Sequence, residues 1–237
     1  MLVRITQRCH MGCSHCMVDA KPDGEHMTME TFKKVVSFVS RNTLPIILIS
    51  GGEPTEHPQI LEFLKLSKEN FKMVILLSNG TFIGNVKLRD AIIGLGICVQ
   101  VTNDPRYYKT KVEKFEHPLF TYEDHIRTIT ALGRAIENEI PSDRTAPMCF
   151  NLRSTTRTCG SITEGINIIR QRMKMCTPSI NIDGSIVAGE TPFCYKIGSV
   201  DSTLEELTNN VCNMKCNKCG LEDNLGVLYK NAIGYYE

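Results

Sequence analysis

The residues most able to do chemistry are cysteines, and they come in groups. Cys9, Cys13 and Cys16 fall within the run RCHMGCSHC near the start of the chain. Thiolates on so tight a loop suit a metal centre, but a zinc site or an ordinary iron–sulfur cluster takes four protein ligands. Three thiolates can hold three irons of a [4Fe–4S] cube and leave the fourth iron open to an exogenous ligand. With His10 or His15 as a fourth donor, the same three suit zinc. Spacing alone leaves both readings standing. A second group, Cys176, Cys194, Cys212, Cys216 and Cys219, lies at the other end of the chain, and Cys98, Cys149 and Cys159 are scattered between. Isolated cysteines of that kind commonly serve as small core hydrophobes.

Eleven cysteines in 237 residues are an odd count. With no signal-peptide pattern at the N-terminus, they argue against a disulfide framework and for a cytoplasmic protein. The hydrophobic share of 42% gives a well-buried core, and the net charge of +1 gives no broad attraction to nucleic acid or membrane. The apolar runs are too short to span a bilayer.

The elements that must position these groups alternate. LVRIT reads as a strand leading into the cysteine loop, and TMETFKKVVSFVSRN as a helix from Thr28 with Phe32, Val35, Val36 and Val39 on one face. PIILIS is a strand ending in GGEP. A helix opened by Pro58 follows, with Ile60, Leu61 and Leu64 in phase. KMVILLS and ICVQV are further strands, ending in SNG and TNDP, with the helical KLRDAIIGLG between them. A helix is expected from about Glu123 to Glu139, APMCFNL as a fifth strand and ITEGINIIRQRMK as a helix. Continuous apolar strands alternating with helices mean parallel βα units covered on both faces. The unusual residues follow the carboxyl ends of successive strands, which converge at the mouth of a barrel. An open doubly wound sheet would use only the ends beside its switch point. The expected fold is therefore α/β and barrel-like over residues 1–174. Residues 175–237 form a small C-terminal unit: a β-hairpin turning at Asp183-Gly184, then a short helix with Ser202 as N-cap and Glu205 at capping-box spacing.

In this order the triplet after the first strand and the GGEP after the second resemble the radical S-adenosylmethionine (radical SAM) enzymes, a resemblance that implies a partial (β/α)6 TIM-like barrel. The resemblance implies that Cys9, Cys13 and Cys16 hold a [4Fe–4S] cluster whose open iron chelates SAM. Gly51, Gly52 and Glu53 then receive the SAM amino group, with Pro54 counted beside them; the glycines permit close backbone approach. His15 stands where the family usually has an aromatic residue beside the adenine. Thr102 and Asp104 resemble the ribose-binding position, and Ser78 and Asn79 line the same mouth. One electron, from a flavodoxin or ferredoxin-type donor, cleaves SAM to methionine and a 5′-deoxyadenosyl radical that abstracts hydrogen from substrate.

The C-terminal cysteines resemble the Twitch domain, a shortened SPASM domain that binds one auxiliary [4Fe–4S] cluster. By that analogy Cys176, Cys194, Cys216 and Cys219 are its ligands. The extra Cys212 is an alternative ligand, and the hairpin is longer than is common. A zinc ribbon is the competing reading of the same four thiols. Fully ligated, such a cluster favours electron transfer, as in the aminocyclitol dehydrogenases that the chain resembles in size and cysteine layout. The implied reaction is oxidation of a small polar substrate. Peptide thioether formation or epimerisation, nucleoside or nucleotide modification, and a non-catalytic zinc-binding module are the alternatives. Cys149 and Cys159 are candidate hydrogen-atom donors, and Arg153, with Arg157, a candidate for holding an anionic group. RYYKTKVEKFEH is read as a surface loop.

Overall fold

The computed structural model describes residues 1–43, 45–126, 129, 132–140, 178–189 and 191–212. Strand β1 (Leu2–Arg4) is followed by helix α1 (Met29–Asn42), β2 (Ile46–Ser50), α2 (Ile60–Asn70), β3 (Met73–Ser78), α3 (Val86–Gly94), β4 (Cys98–Thr102) and β5 (Phe120–Glu123). A single turn of helix, α4 (Arg134–Glu137), comes next. The last described elements are β6 (Ser179–Ile180), β7 (Ser185–Val187), β8 (Lys196–Ser199) and helix α5 (Leu204–Cys212).

The strands form one sheet in the order β5-β4-β3-β2-β1-β6-β7-β8. From β1 to β5 every neighbour is parallel and next in sequence. From β1 to β5 the order does not reverse, and these strands form the core of a partial TIM-like barrel. Strand β6 pairs parallel with the free side of β1, and β7 and β8 continue antiparallel.

Helix α1 starts at Thr28, whose hydroxyl accepts from the Thr31 N–H at 3.1 Å. Its inward face buries Phe32, Val35, Val36 and Val39, and Phe32 stacks on Phe63 of α2 at 4.2 Å between ring centroids. Along the strands burial alternates. Ile47, Ile49, Val74, Leu76, Val99 and Val101 are buried in the core, while Leu48, Ile75, Leu77 and Gln100 on the other face are half-buried. Each apolar side chain fully buried contributes about 1.5–3 kcal/mol.

Three sequence expectations are corrected. The helix expected from Glu123 to Glu139 is absent as such. Glu123 ends β5, and among the described residues that follow the helical turn is Arg134–Glu137. Phe120–Glu123 takes the fifth place in the strand order; APMCFNL, expected there, and ITEGINIIRQRMK lie outside the described residues. The β-branched and aromatic run FTYE outweighs its short length because it pairs fully with β4. At α5 the cap is Thr203. Its N–H donates to Glu206 at 2.8 Å and its hydroxyl accepts from the Glu206 N–H at 3.1 Å, one residue later than the Ser202/Glu205 pair expected. Ser202 instead accepts from the Ser199 N–H at 3.2 Å. The hairpin turn at Asp183-Gly184 lies between β6 and β7 as expected; strand β8 was not foreseen.

Candidate functional site

The cysteine loop is an excursion whose two stems are tied together. Cys9 N–H donates to Lys21 O at 2.9 Å, Lys21 N–H to Gln7 O at 3.1 Å and Gln7 N–H to Glu25 O at 2.8 Å. The end of β2 is fastened to the entering stem: Gly52 N–H donates to Thr6 O and Glu53 N–H to Arg8 O, both at 2.8 Å. A Cβ on Gly51 would lie 2.5 Å from Thr6 O, and one on Gly52 2.3 Å from Arg8 O. The two glycines are thus required by the packing of the loop itself, before any ligand is considered.

Cys9, Met11, Cys13 and Ala20 form a buried apolar cluster, with Cys16, Val18 and Tyr108 packed against it. Burial pushes the Cys9 thiol up to about 11 and, together with the neighbouring thiols, the Cys13 thiol up to about 12. A metal centre supplies the positive charge that favours release of their protons. Cys9 Sγ accepts from the Met11 N–H at 3.4 Å and from Asn79 Nδ2 at 3.7 Å. The Asn79 amide has no choice of orientation: its Oδ1 takes both the N–H and the hydroxyl of Thr81, at 2.9 and 2.7 Å. N–H···S contacts of this kind set the potential of iron–sulfur centres.

Glu53 is completely buried and its carboxylate joins the ends of β2 and β3. It accepts from Ser78 Oγ at 2.9 Å, Asn79 N–H at 2.7 Å and Thr55 N–H at 3.1 Å, and also from the Thr55 hydroxyl. Burial still holds the carboxyl above its usual range. Pro54 opens the short helical turn that follows. Asp104, beyond β4, is the counterpart. Its two oxygens accept from the N–H and guanidinium of Arg106 and from the Ile126 N–H, and the guanidinium holds it far below the usual carboxylate range. Thr102 ends β4, half-buried.

His15 lies between two rings, 4.6 Å from Tyr107 and 5.4 Å from Tyr108. Its Nδ1 is buried and has no hydrogen-bond partner among the described residues, and burial lowers its basicity. RYYKTKVEKFEH is therefore more than a surface loop, because its two tyrosines close over the cysteine loop. Sequence reasoning also missed Arg134, which reaches the cysteine loop from α4. The doublet of tyrosines directly after TNDP was the one available signal for the former; nothing in the sequence marked Arg134.

The donor set suits an iron–sulfur cube. Among the described residues no three His, Cys, Asp or Glu side chains gather closely enough to hold a single metal ion. A cube spreads its thiolates, each on its own iron, whereas zinc needs four donors on one centre. His10 is taken by Glu56 at 2.6 Å, and His15 is held between the tyrosines. The orphaned Nδ1 of His15 fits a polar ring edge of a bound cofactor. Of the second cysteine group, Cys194 is described: it is buried in the β7–β8 connection, with its sulfur 3.4 Å from Thr191 Oγ1. Cys212 is the last residue of α5. Cys149, Arg153, Arg157, Cys159, Cys176, Cys216 and Cys219 lie outside the described residues. No described helix is long and apolar enough to cross a membrane.

Comparison with known proteins fits these observations. The family model for the Radical SAM superfamily matches residues 3–145. The subtilosin biosynthesis protein AlbA of Bacillus subtilis is 35% identical over 78 residues, 32% of this chain and 17% of its own length. A probable GTP 3′,8-cyclase of Pyrococcus horikoshii is 32% identical over 92 residues, 38% of this chain and 30% of its own. The match thus spans less than a third of either relative. Among solved structures, BtrN in complex with AdoMet and 2-DOIA superposes with a TM-score of 0.57 at 15% identity, covering 90% of this chain and 81% of that one. That likeness speaks to fold.

Proposed function

Because the chain belongs to the radical SAM superfamily, we propose that it oxidises a small polar substrate by hydrogen abstraction, with an auxiliary [4Fe–4S] cluster accepting the second electron. When bound at Cys9, Cys13 and Cys16, the cluster and SAM supply the 5′-deoxyadenosyl radical. The chain's own residues position them. The loop amides and Asn79 hold Cys9, the ring of His15 meets the adenine, and Gly51, Gly52 and Thr102 border the SAM site. Arg153, Cys149 and Cys159 are proposed for the substrate side of the mouth.

The observation that carries the reading is Cys194, a buried thiol in a connection of the three-stranded extension bonded to β1, the strand that launches the cysteine loop. With Cys176, Cys216 and Cys219 it would complete a four-thiolate site in residues 175–237, alongside a barrel of residues 1–174. Such a site has no open iron, so substrate binds at the barrel mouth. The likeness to BtrN supports the fold that this requires. A flavodoxin or ferredoxin in the cytoplasm is the proposed electron donor. A second reading, modification of a peptide, draws on the stretch shared with AlbA, whose name is that of a bacteriocin biosynthesis protein. The stretch shared with the GTP 3′,8-cyclase keeps a nucleotide substrate as a third.

Anaerobically reconstituted protein should carry about eight irons per chain, and the Cys9, Cys13, Cys16 triple alanine variant about four. The paired Cys216→Ala and Cys219→Ala variant should still cleave SAM but form no oxidised product. About four irons in the parent protein would overturn the two-cluster reading.

A further inference from the structure

The cysteine loop touches one described segment that is distant from it in sequence by more than a hundred residues and belongs to no strand end. Arg134 N–H donates to Cys16 O at 3.0 Å, and Arg134 Nη1 to Cys13 O at 2.9 Å. Nη2 donates to Ala20 O and pairs with Asp19 Oδ1 at 3.3 Å. Four residues on, Asn138 Nδ2 donates to Ser14 O at 2.9 Å. Gly133 brings the segment this close. It has φ of +56°, and a Cβ there would meet Cys16 O at 2.8 Å.

Carbonyls of residues 13, 14, 16 and 20 are thus satisfied from outside the loop, and two of them belong to metal-ligating cysteines. A guanidinium fork is suited to this because it presents several donors in fixed geometry, which a lysine cannot copy. The side chain is largely shielded, 19% exposed. Its charge sits beside the cluster-binding arc, with Nη1 bonded to the carbonyl of Cys13 itself. Asp19 takes up part of that charge, and Lys21 lies 3.4 Å from Asp19 on its other side.

We propose that Arg134 is a positioning residue of the SAM-cleaving centre. Its fork holds the Cys13–Ala20 arc in the shape the three thiolates need, and its charge favours the more negative, reduced state of the cluster. The inference depends on family membership and on no part of the oxidation reading. It holds equally for peptide or nucleotide chemistry.

The test uses reconstituted full-length protein with Arg134→Gln, Arg134→Lys and Asp19→Asn, each checked for parent-like folding by circular dichroism. Two readouts need no substrate: the rate of iron loss to a chelator, and the potential of the cluster whose EPR signal changes on adding SAM. Arg134→Gln should lose that cluster about tenfold faster or more, as expected when charged hydrogen bonds are removed, and should shift its potential negative. Arg134→Lys should recover the potential without recovering the slow iron loss. Asp19→Asn, which leaves the guanidinium less neutralised, should shift the potential positive. Parent-like rates in both arginine variants would overturn the positioning role. A potential unmoved by Arg134→Gln would overturn the electrostatic one. Because the SAM-responsive signal reports the first cluster alone, a protein lacking the auxiliary cluster would defeat the oxidation reading and leave this test intact.

Discussion

Glu53 and Asp104 are both fully buried carboxylates just beyond strand ends of the same mouth, and they are handled in opposite ways. Glu53, beyond β2, has neutral donors only: two hydroxyls and two backbone N–H groups. Burial wins, and its carboxyl is held up. Asp104, beyond β4, has the guanidinium of Arg106, and the ion pair wins. The same division runs through the whole mouth. On the β1–β3 side the cysteine loop is held by main-chain bonds and close glycine contact. On the side built from residues 103–138 side chains carry more of the hold, with Tyr107 and Tyr108 around His15 and the Arg134 guanidinium on the loop carbonyls, beside the main-chain bond of Arg134 to Cys16 O. The first side is rigid by backbone register; the second depends on individual residues and their charge.

Three substitutions sharpen that contrast. Glu53→Ala removes the common acceptor of Ser78, Asn79 and Thr55. Each buried donor left unpaired costs about 1–3 kcal/mol, so a loss of about 3 kcal/mol or more is expected in denaturant unfolding. A loss under about 1 kcal/mol would show that the β2–β3 junction does not rest on this carboxylate. Arg106→Gln should cost less, about 1 kcal/mol at pH 7, because the guanidinium is partly exposed and screened.

The pH dependence gives the second of these a signature. A depressed carboxyl contributes stability that is present above its unfolded value of about 3.9 and is lost as pH falls toward the folded value. The gap between parent and Arg106→Gln should therefore be constant above about pH 5 and close below about pH 4. Glu53, held up, has the opposite sign: its protonation in acid relieves the cost of a buried charge. A gap that widened in acid would contradict the assignment. The smallest effect belongs to Asn138→Ala, which removes one exposed hydrogen bond to Ser14 O. About 0.5 kcal/mol is expected, and a much larger loss would mean that the whole 132–140 segment had come away.

The same division explains what could be read from the sequence. The strands from β1 to β4, α1 with its start near Thr28, and the positions of the triplet and GGEP were legible because each is a local pattern: an apolar run, a periodic face, a spacing. Beyond β4 the period of Ile126, Ile129, Leu132 and Ile136 suggested a continuous helix, yet Ile126 donates its N–H to the Asp104 carboxylate, and among the described residues the helical turn is Arg134–Glu137. A tertiary bond to a buried charge outweighed local periodicity. Arg134 was invisible for the same reason, since its partners are carbonyls whose positions no side-chain pattern records. Gly51 and Gly52 were read as allowing close backbone approach to SAM; the approach described in the structure is to the chain's own Thr6 and Arg8.

The central claim is that Cys9, Cys13 and Cys16 carry a cluster that cleaves SAM at this mouth. It is tested most directly by quantifying 5′-deoxyadenosine and methionine after dithionite reduction of the reconstituted protein with SAM. The account predicts equal amounts of the two products from the parent and none from the Cys9, Cys13, Cys16 triple alanine variant. SAM left intact by the reduced, fully iron-loaded parent under every substrate tried would contradict it.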